Sequence, residues 1–377
     1  MPLVRRALPW KNLALGAATL AAVLVLAEGI LRTTHLAGAR VAWTEPDTLI
    51  GWRFTPGRPY WFHKENDHPV TGRINARGWR DRERTLVKGP GVYRVAVVGD
   101  SYVEAFQVEL DSTFTQIAER ALAGREDVAV EVLNFGRSGM TQTEELLVLE
   151  RDVLPYQPDL VVVVFVPLND IDDMDPATTF EPLRPFFQLT EEGELALDRS
   201  FARTPAFRAR RRVGWLKQRS ALVSLVAERT NARALARRKP PPAPGAPRPV
   251  GYLSLCTDRP EPRYVRGYEL CKRVVSRIAG ACEAGGASLL LVCANGVYDP
   301  GEVAALRRAS PSFYPGFFGR DLCRWAAWNE IACVDLQPAF AARFEATGER
   351  LHWAHWNYAG HRVVAQALIG AIAERIP

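Results

Sequence analysis

No two of the six cysteines in this 377-residue chain form a Cys-x-x-Cys pair, which removes the usual spacing of a zinc site or a dithiol redox motif. Zinc-finger spacing, an RNA-binding aromatic pattern and a long basic tail are absent as well. The formal net charge is +6, the basic residues are almost all arginine, and they are spread along the chain apart from a cluster between Arg203 and Arg248. Nucleic acid is therefore excluded as the expected partner. Nothing in the sequence asks for a metal or an organic cofactor, and none is expected. What is present is globular. Apolar residues make up 47% and charged residues 24%, in a chain longer than one ordinary domain needs and able to bury a large core.

One apolar run stands out. Arg5, Arg6 and Lys11 precede Leu13–Ala27, Glu28 interrupts the run, and Gly29-Ile30-Leu31 continue it. Residues 13–31 have about the length that spans a bilayer. They read as a transmembrane signal-anchor behind a cytoplasmic tail of residues 1–12, with the rest of the chain beyond the membrane. The rival readings are a cleaved signal peptide, for which Val25-Leu26-Ala27 offers a cleavage site, and a buried core helix, which the terminal position and basic flank disfavour. Export permits disulfides. Cys293 and Cys333 lie in strand-like runs and read as small core residues, while Cys256 and Cys271 are candidates for a bridge.

Residues 42–90 are rich in Trp, Gly, Pro and Arg, show no helix period, and read as a small N-terminal β extension. From residue 91 to 377, strand-like runs alternate with helical periodicity. The runs are Val92–Val98, Val128–Leu133, Leu160–Val166, Ser288–Cys293 and Ile331–Leu336; the helices are Ser112–Ala123, Thr143–Leu154, Tyr264–Glu283 and Tyr358–Ala373. The alternation predicts an α/β domain with a mostly parallel five-stranded sheet covered on both faces. Such sheets bind ligands at the C-terminal ends of their strands, and Ser101, Gly136 and Asn169 each follow a strand within a few residues. Residues 171–250 form an insertion. It is acidic from Asp170 to Asp175, helical around Ser220–Leu235 with many arginines, and ends in a Pro-rich connector from Pro240. It reads as a solvated insertion, a lid, or a basic surface resting on anionic lipid beside the anchor.

Chemistry gathers at four places. Gly99-Asp100-Ser101 ends the first apolar run, where a serine hydroxyl at a strand-to-helix turn points out of the sheet. Asn134-Phe-Gly136-Arg-Ser-Gly139 and Asn169-Asp170 end two more. His355 lies in His352-Trp-Ala-His355-Trp-Asn357-Tyr-Ala-Gly360-His361, ahead of the last helix. A serine hydroxyl needs a base, and His355 is the best available. An oxyanion needs several donors aimed at one oxygen. The Ser101 N–H, the Gly136 N–H and the Asn169 side-chain amide are the candidates. Asp100 braces the turn and Asp170 the Asn169 loop.

These four ordered blocks resemble the SGNH/GDSL hydrolase family over roughly residues 92–375, and Asn75-Ala-Arg-Gly78-Trp-Arg80 resembles the lead-in of membrane-anchored bacterial members. The resemblance implies a flavodoxin-like three-layer sandwich, the SGNH hydrolase fold, cleaving esters through Ser101 as nucleophile and His355 as base. Gly136 and Asn169 are then oxyanion donors. It departs in two ways. Pro167 stands where the third block has glycine. The acid expected three or two residues before the histidine is replaced by His352 and Trp353. A Ser–His dyad, an acid recruited from elsewhere, with Glu349 or His352 as candidates, and a weakened activity remain open. Ala105 also occupies a frequent glycine position.

The resulting expectation is an exported serine esterase acting on acyl, short-chain esters of a glycan or small molecule. It would sit in the bacterial inner membrane by one helix, with its catalytic domain in the periplasm or outside the cell. An O-acetyltransferase acting on an envelope or secreted polysaccharide is the alternative enzyme. A catalytically inactive carbohydrate-binding protein is the alternative of another class.

Overall fold

The structure, a computed structural model, describes residues 10–38, 40–124, 128–177, 179, 181–238 and 251–377. Residues 1–9 of the expected tail and the Pro-rich end of the insertion, 239–250, lie outside the described residues. The chain divides into two compact units, residues 1–45 with 209–240 and residues 46–208 with 241–377. The insertion expected over 171–250 is thus shared between them.

The larger unit is built on five strands: β1 (Val92–Gly99), β2 (Ala129–Gly136), β3 (Leu160–Phe165), β4 (Ser288–Cys293) and β5 (Ala332–Asp335). Their order is β2-β1-β3-β4-β5, and every pairing is parallel. Runs such as Val161-Val-Val-Val164 are apolar at every position because both faces are covered. Successive side chains alternate between the faces. Val98, Phe135, Val163 and Leu291 join Val274, Val275 and Ile278 of helix Pro262–Ala284 on one side. Val97, Val132, Val162 and Leu290 join Val364, Leu368 and Ile372 of helix Tyr358–Ala373 on the other. The strand order reverses between β1 and β3, and their carboxyl ends therefore diverge to leave a crevice.

The helix expected at Thr143–Leu154 is split. An α-helix covers Gln142–Val148, started by a Thr141/Glu144 capping box. A π turn follows at Leu149–Val153 and a 3₁₀ turn at Leu154–Tyr156, around Pro155, which has no N–H to give. The disulfide joins Cys323 to Cys333, tying helix Phe317–Trp328 to β5 across a Cα separation of 5.2 Å. The reading of Cys333 as a plain core residue is corrected accordingly. Cys256 and Cys271, proposed as a bridge, are free and buried.

Among the described residues of the smaller unit one helix, Trp10–Thr34, is long and apolar enough to cross a membrane, with a mean hydropathy of 2.1 over its most apolar window. It exceeds the expected 13–31 by three residues at each end. At the C-terminal end the Thr33 and Thr34 hydroxyls return to the carbonyls of Gly29 and Ile30, which keeps the last turn closed. Helix Ala221–Arg238 packs on it around Leu31, Ala221, Leu222 and Leu225.

Candidate active site

β1 ends at Gly99, and Asp100 caps the short helix Ser101–Glu104 by accepting the Tyr102 N–H at 2.9 Å. The cap fixes the Ser101 side chain at the carboxyl edge. Ser101 Oγ lies 2.8 Å from His355 Nε2. His355 is presented by a tight loop in which His352 bridges Trp356 and the Trp353 N–H donates to the His355 carbonyl at 2.8 Å. Asn357 then caps helix Tyr358–Ala373, its Oδ1 accepting the Gly360 N–H at 3.0 Å. A Cβ on Gly360 would lie 2.2 Å from the Leu351 carbonyl oxygen, so only glycine lets the loop close on that helix. The Tyr102 ring, 4.9 Å from the imidazole, forms a wall beside it.

The far side of the imidazole is occupied by a residue that the sequence pattern did not suggest. His355 Nδ1 lies 2.7 Å from Glu65 Oε1, and the His355 backbone N–H donates to Glu65 Oε2 at 2.9 Å. Glu65 sits in the loop between two antiparallel strands, Pro59–Phe62 and Val70–Arg73. Neighbours pin this loop. The Asn66 side-chain amide donates to the Gln107 carbonyl at 3.2 Å and to the Tyr358 hydroxyl at 2.9 Å, and His68 pairs with Glu109 at 2.8 Å. Positions 65 and 355 share no local pattern. The only sequence signal was a run of polar residues, five of the six titratable, His63-Lys64-Glu65-Asn66-Asp67-His68, between two short strands. Neither weighed substitute meets the imidazole. Glu349 pairs with Arg343 at 2.8 Å on the exposed surface, and His352 Nδ1 turns to the Tyr298 hydroxyl at 3.1 Å.

Electrostatics follow from these contacts. Burial alone would raise the Glu65 carboxyl, but the His355 hydrogen bonds and charge outweigh it and hold it below its ordinary value. Burial alone would lower the His355 imidazole, and Glu65 overrides that and raises it. His352, buried and near His355 without such a partner, falls to about 4 and stays neutral. Burial pushes Glu104 up to about 7, against donation from the Ser138 N–H and hydroxyl.

The oxyanion candidates separate. The Ser101 N–H is the first of its helix and has no intrahelical partner. Asn169 follows β3, and its amide nitrogen donates one hydrogen to Asp100 Oδ2 at 2.5 Å, leaving a second. Gly136 ends β2, and its N–H is already donated to Asn134 Oδ1 at 2.8 Å. Its lack of a side chain has a packing reason. A Cβ there would lie 2.2 Å from the Glu104 nitrogen and 2.5 Å from the Val103 carbonyl carbon. Gly136→Ala must therefore move the Ser101 helix. The expected cost is roughly 1–3 kcal/mol of stability, seen as a lower Tm, together with a loss of activity. An unchanged Tm would refute the close-approach role.

Arg80 holds the other end of that helix. Fully buried, it donates to the carbonyls of Glu104 (3.0 Å), Ala105 (2.8 Å) and Val108 (2.5 Å), and to the Tyr60 hydroxyl (3.0 Å). Ala105 is in the left-handed region at φ 57°, where a Cβ costs about 1 kcal/mol, and this grip maintains the turn.

No family model and no curated protein matches the chain. Solved structures do. An alpha/beta hydrolase enzyme, LAE5, from the metagenome of Lake Arreo, Spain, aligns at TM-score 0.41 and 15% identity, over 76% of this chain and 97% of that one. Axe2, an acetylxylan esterase from Geobacillus stearothermophilus, aligns at 0.39 and 12%, over 74% and 94%. TesA aligns at 0.37 and 14%, over 75% and 99%. At such identities and TM-scores the likeness carries no argument about what the chain acts on.

The family and fold name drawn from the four sequence blocks is corrected here. The SGNH/GDSL family assignment, and the SGNH hydrolase fold name that it implied, are withdrawn: no family model matches the chain, and of the three structures LAE5 is described as an alpha/beta hydrolase enzyme while the descriptions of Axe2 and TesA name no fold. The physical reason lies in what short blocks encode. Gly, Asp, Asn and Ser at strand-to-helix turns specify local turn geometry, which many parallel α/β sheets share.

Proposed function

We propose that the chain is an exported serine esterase that cleaves acyl esters of a glycan or small molecule through an acyl-serine. The observation that carries this reading is the connected series Ser101–His355–Glu65, at spacings of 2.8 and 2.7 Å. Glu65 keeps the proton of the neutral imidazole on Nδ1, so the Nε2 lone pair faces Ser101. As Oγ attacks the ester carbonyl, its proton passes to Nε2. Glu65 stabilises the imidazolium, and the Ser101 N–H and the second Asn169 hydrogen face the developing oxyanion. The imidazolium then protonates the leaving alcohol. In the second half His355 takes a proton from water, whose oxygen attacks the acyl carbon; the acyl C–Oγ bond then breaks, the imidazolium returns its proton to Ser101 Oγ, and the carboxylic acid leaves. Trp353, 39% exposed and joined to the His355 carbonyl, offers an aromatic face beside the site that suits a sugar ring.

Placement in a bacterial inner membrane, with the catalytic unit on the outer side, has two supports. Arg5, Arg6 and Lys11 precede the apolar helix, and the Cys323–Cys333 disulfide suits an oxidising compartment. A fluorophosphonate probe is expected to add its phosphonyl mass to the Ser101 peptide alone. Acetate should then be released from an acetylated oligosaccharide without an added acceptor sugar. Labelling elsewhere, or acetyl appearing only on an added sugar, overturns the esterase reading.

A further inference from the structure

The apolar helix Trp10–Thr34 carries one acidic residue within its hydrophobic stretch, Glu28, and the structure gives it an occupation. Its Oε1 accepts the Ala221 N–H at 2.8 Å, and its Oε2 accepts the Ser220 hydroxyl at 2.8 Å and the Leu222 N–H at 3.1 Å. Arg32 binds Glu28 at 2.5 Å and also donates to the Arg219 carbonyl. The start of helix Ala221–Arg238 is thereby held at the level of residue 28. Residues 10 to 28 span about 27 Å of helix, close to the ~30 Å of a bilayer's hydrocarbon core. The docked segment therefore begins where the anchor leaves the bilayer.

Its composition fits that depth. Residues 209–238 hold eight arginines and one lysine against a single acidic residue, Glu228. On helix Pro205–Lys217, Arg211 and Trp215 are i,i+4 neighbours, as are Arg212 and Leu216, so all four share one broad face. All four are exposed; Trp215 and Leu216 stay 56% and 44% accessible, and the Arg219 guanidinium stacks 4.1 Å over Trp215. Trp and Leu left open among arginines are costly in water. They match the boundary between headgroups and acyl chains, where the ring and aliphatic carbons find apolar surroundings and the guanidinium groups meet phosphate.

We propose that residues 209–238 form a basic collar seated on anionic phospholipid headgroups around the exit of the anchor. The proposal rests on the anchor reading above. The occupant is an anionic lipid surface because the face is cationic, carries an interfacial tryptophan, and is continuous with the membrane-crossing helix. The collar would hold the chain at a defined height and bias it toward substrate near the membrane.

The test uses the full chain in nanodiscs of phosphatidylcholine alone and of phosphatidylcholine with phosphatidylglycerol, read by amide hydrogen exchange. Peptides from 209–238 are expected to exchange at least ten-fold more slowly with phosphatidylglycerol present, and to lose that protection in high salt. Arg211→Glu/Arg212→Glu should remove the lipid dependence, and Arg211→Lys/Arg212→Lys should retain it. Equal exchange in both lipids, with the chain still co-eluting with nanodiscs, overturns the collar and leaves the anchor intact. A chain recovered free of nanodiscs and starting at Glu28 overturns the anchor reading, and the collar with it.

Discussion

Alanine at Ser101 is expected to lower turnover of a short acyl ester by roughly 10⁶-fold, the scale on which triad nucleophiles act. The size of the effect follows from the division of labour. His355 and Glu65 act only through the hydroxyl, so removing Oγ leaves them without an acceptor for their proton chemistry. What persists is the residual catalysis of binding and oxyanion donors. The fold should tolerate the change. The Asp100 cap on the Tyr102 N–H and the Arg80 clamp on three carbonyls both act on groups other than Ser101 Oγ. Steady-state kinetics with an unchanged Tm would check it. A variant that keeps more than a hundredth of the rate ends the acyl-serine mechanism.

Glu65→Gln is expected to cost about 10⁴ in kcat with little change in KM. Glu65 accepts two donors with its two oxygens, the His355 N–H and the imidazole Nδ1–H. Glutamine offers one oxygen and one NH₂, so one of those donors must face another donor. Where the NH₂ faces Nδ1, the imidazole proton moves to Nε2 and points at Ser101, and the base is lost. The pH profile gives a second readout. Glu65 raises the His355 pKa above its ordinary 6.5, so the wild-type rate should climb with pH through a limb above that value as the imidazole becomes neutral. Without the carboxylate the imidazole loses its proton at lower pH, and the limb moves down. Glu349→Ala should leave both kcat and the limb in place, since Glu349 pairs with Arg343 at the surface. A loss under ten-fold at Glu65, or a limb that stays put, would remove it from the mechanism.

Both experiments separate what is local in this chain from what is not. The strand runs were legible because parallel strands buried on both faces are continuously apolar. β4 occupies the same residues, 288–293, that its apolar run marks. Helix Tyr358–Ala373 likewise starts at its Asn357 cap and covers its periodic segment. Ser101 and His355 were legible because each sits in a turn whose residues are chosen by neighbours only a few positions away.

Other features depended on approach in space. Gly136 carries the signature of an oxyanion glycine, yet its N–H goes to Asn134, two residues back, and its missing Cβ makes room for the Ser101 helix. Cys333 reads as a core residue until helix Phe317–Trp328 brings Cys323 alongside. The family name drawn from the four short blocks has no matching family model behind it, and turn residues report the turn rather than the fold around it. The sequence by itself determined the membrane-length helix, the alternation of strands and helices, and the serine and histidine at the carboxyl edge, because each is written in spacings of one to four residues. Only the tertiary structure placed a carboxylate on the far side of His355. Glu65 reaches His355 across 290 positions, through a loop pinned by Asn66, Gln107, Glu109 and Tyr358, and no periodicity in a chain records a contact made by closing so long a loop.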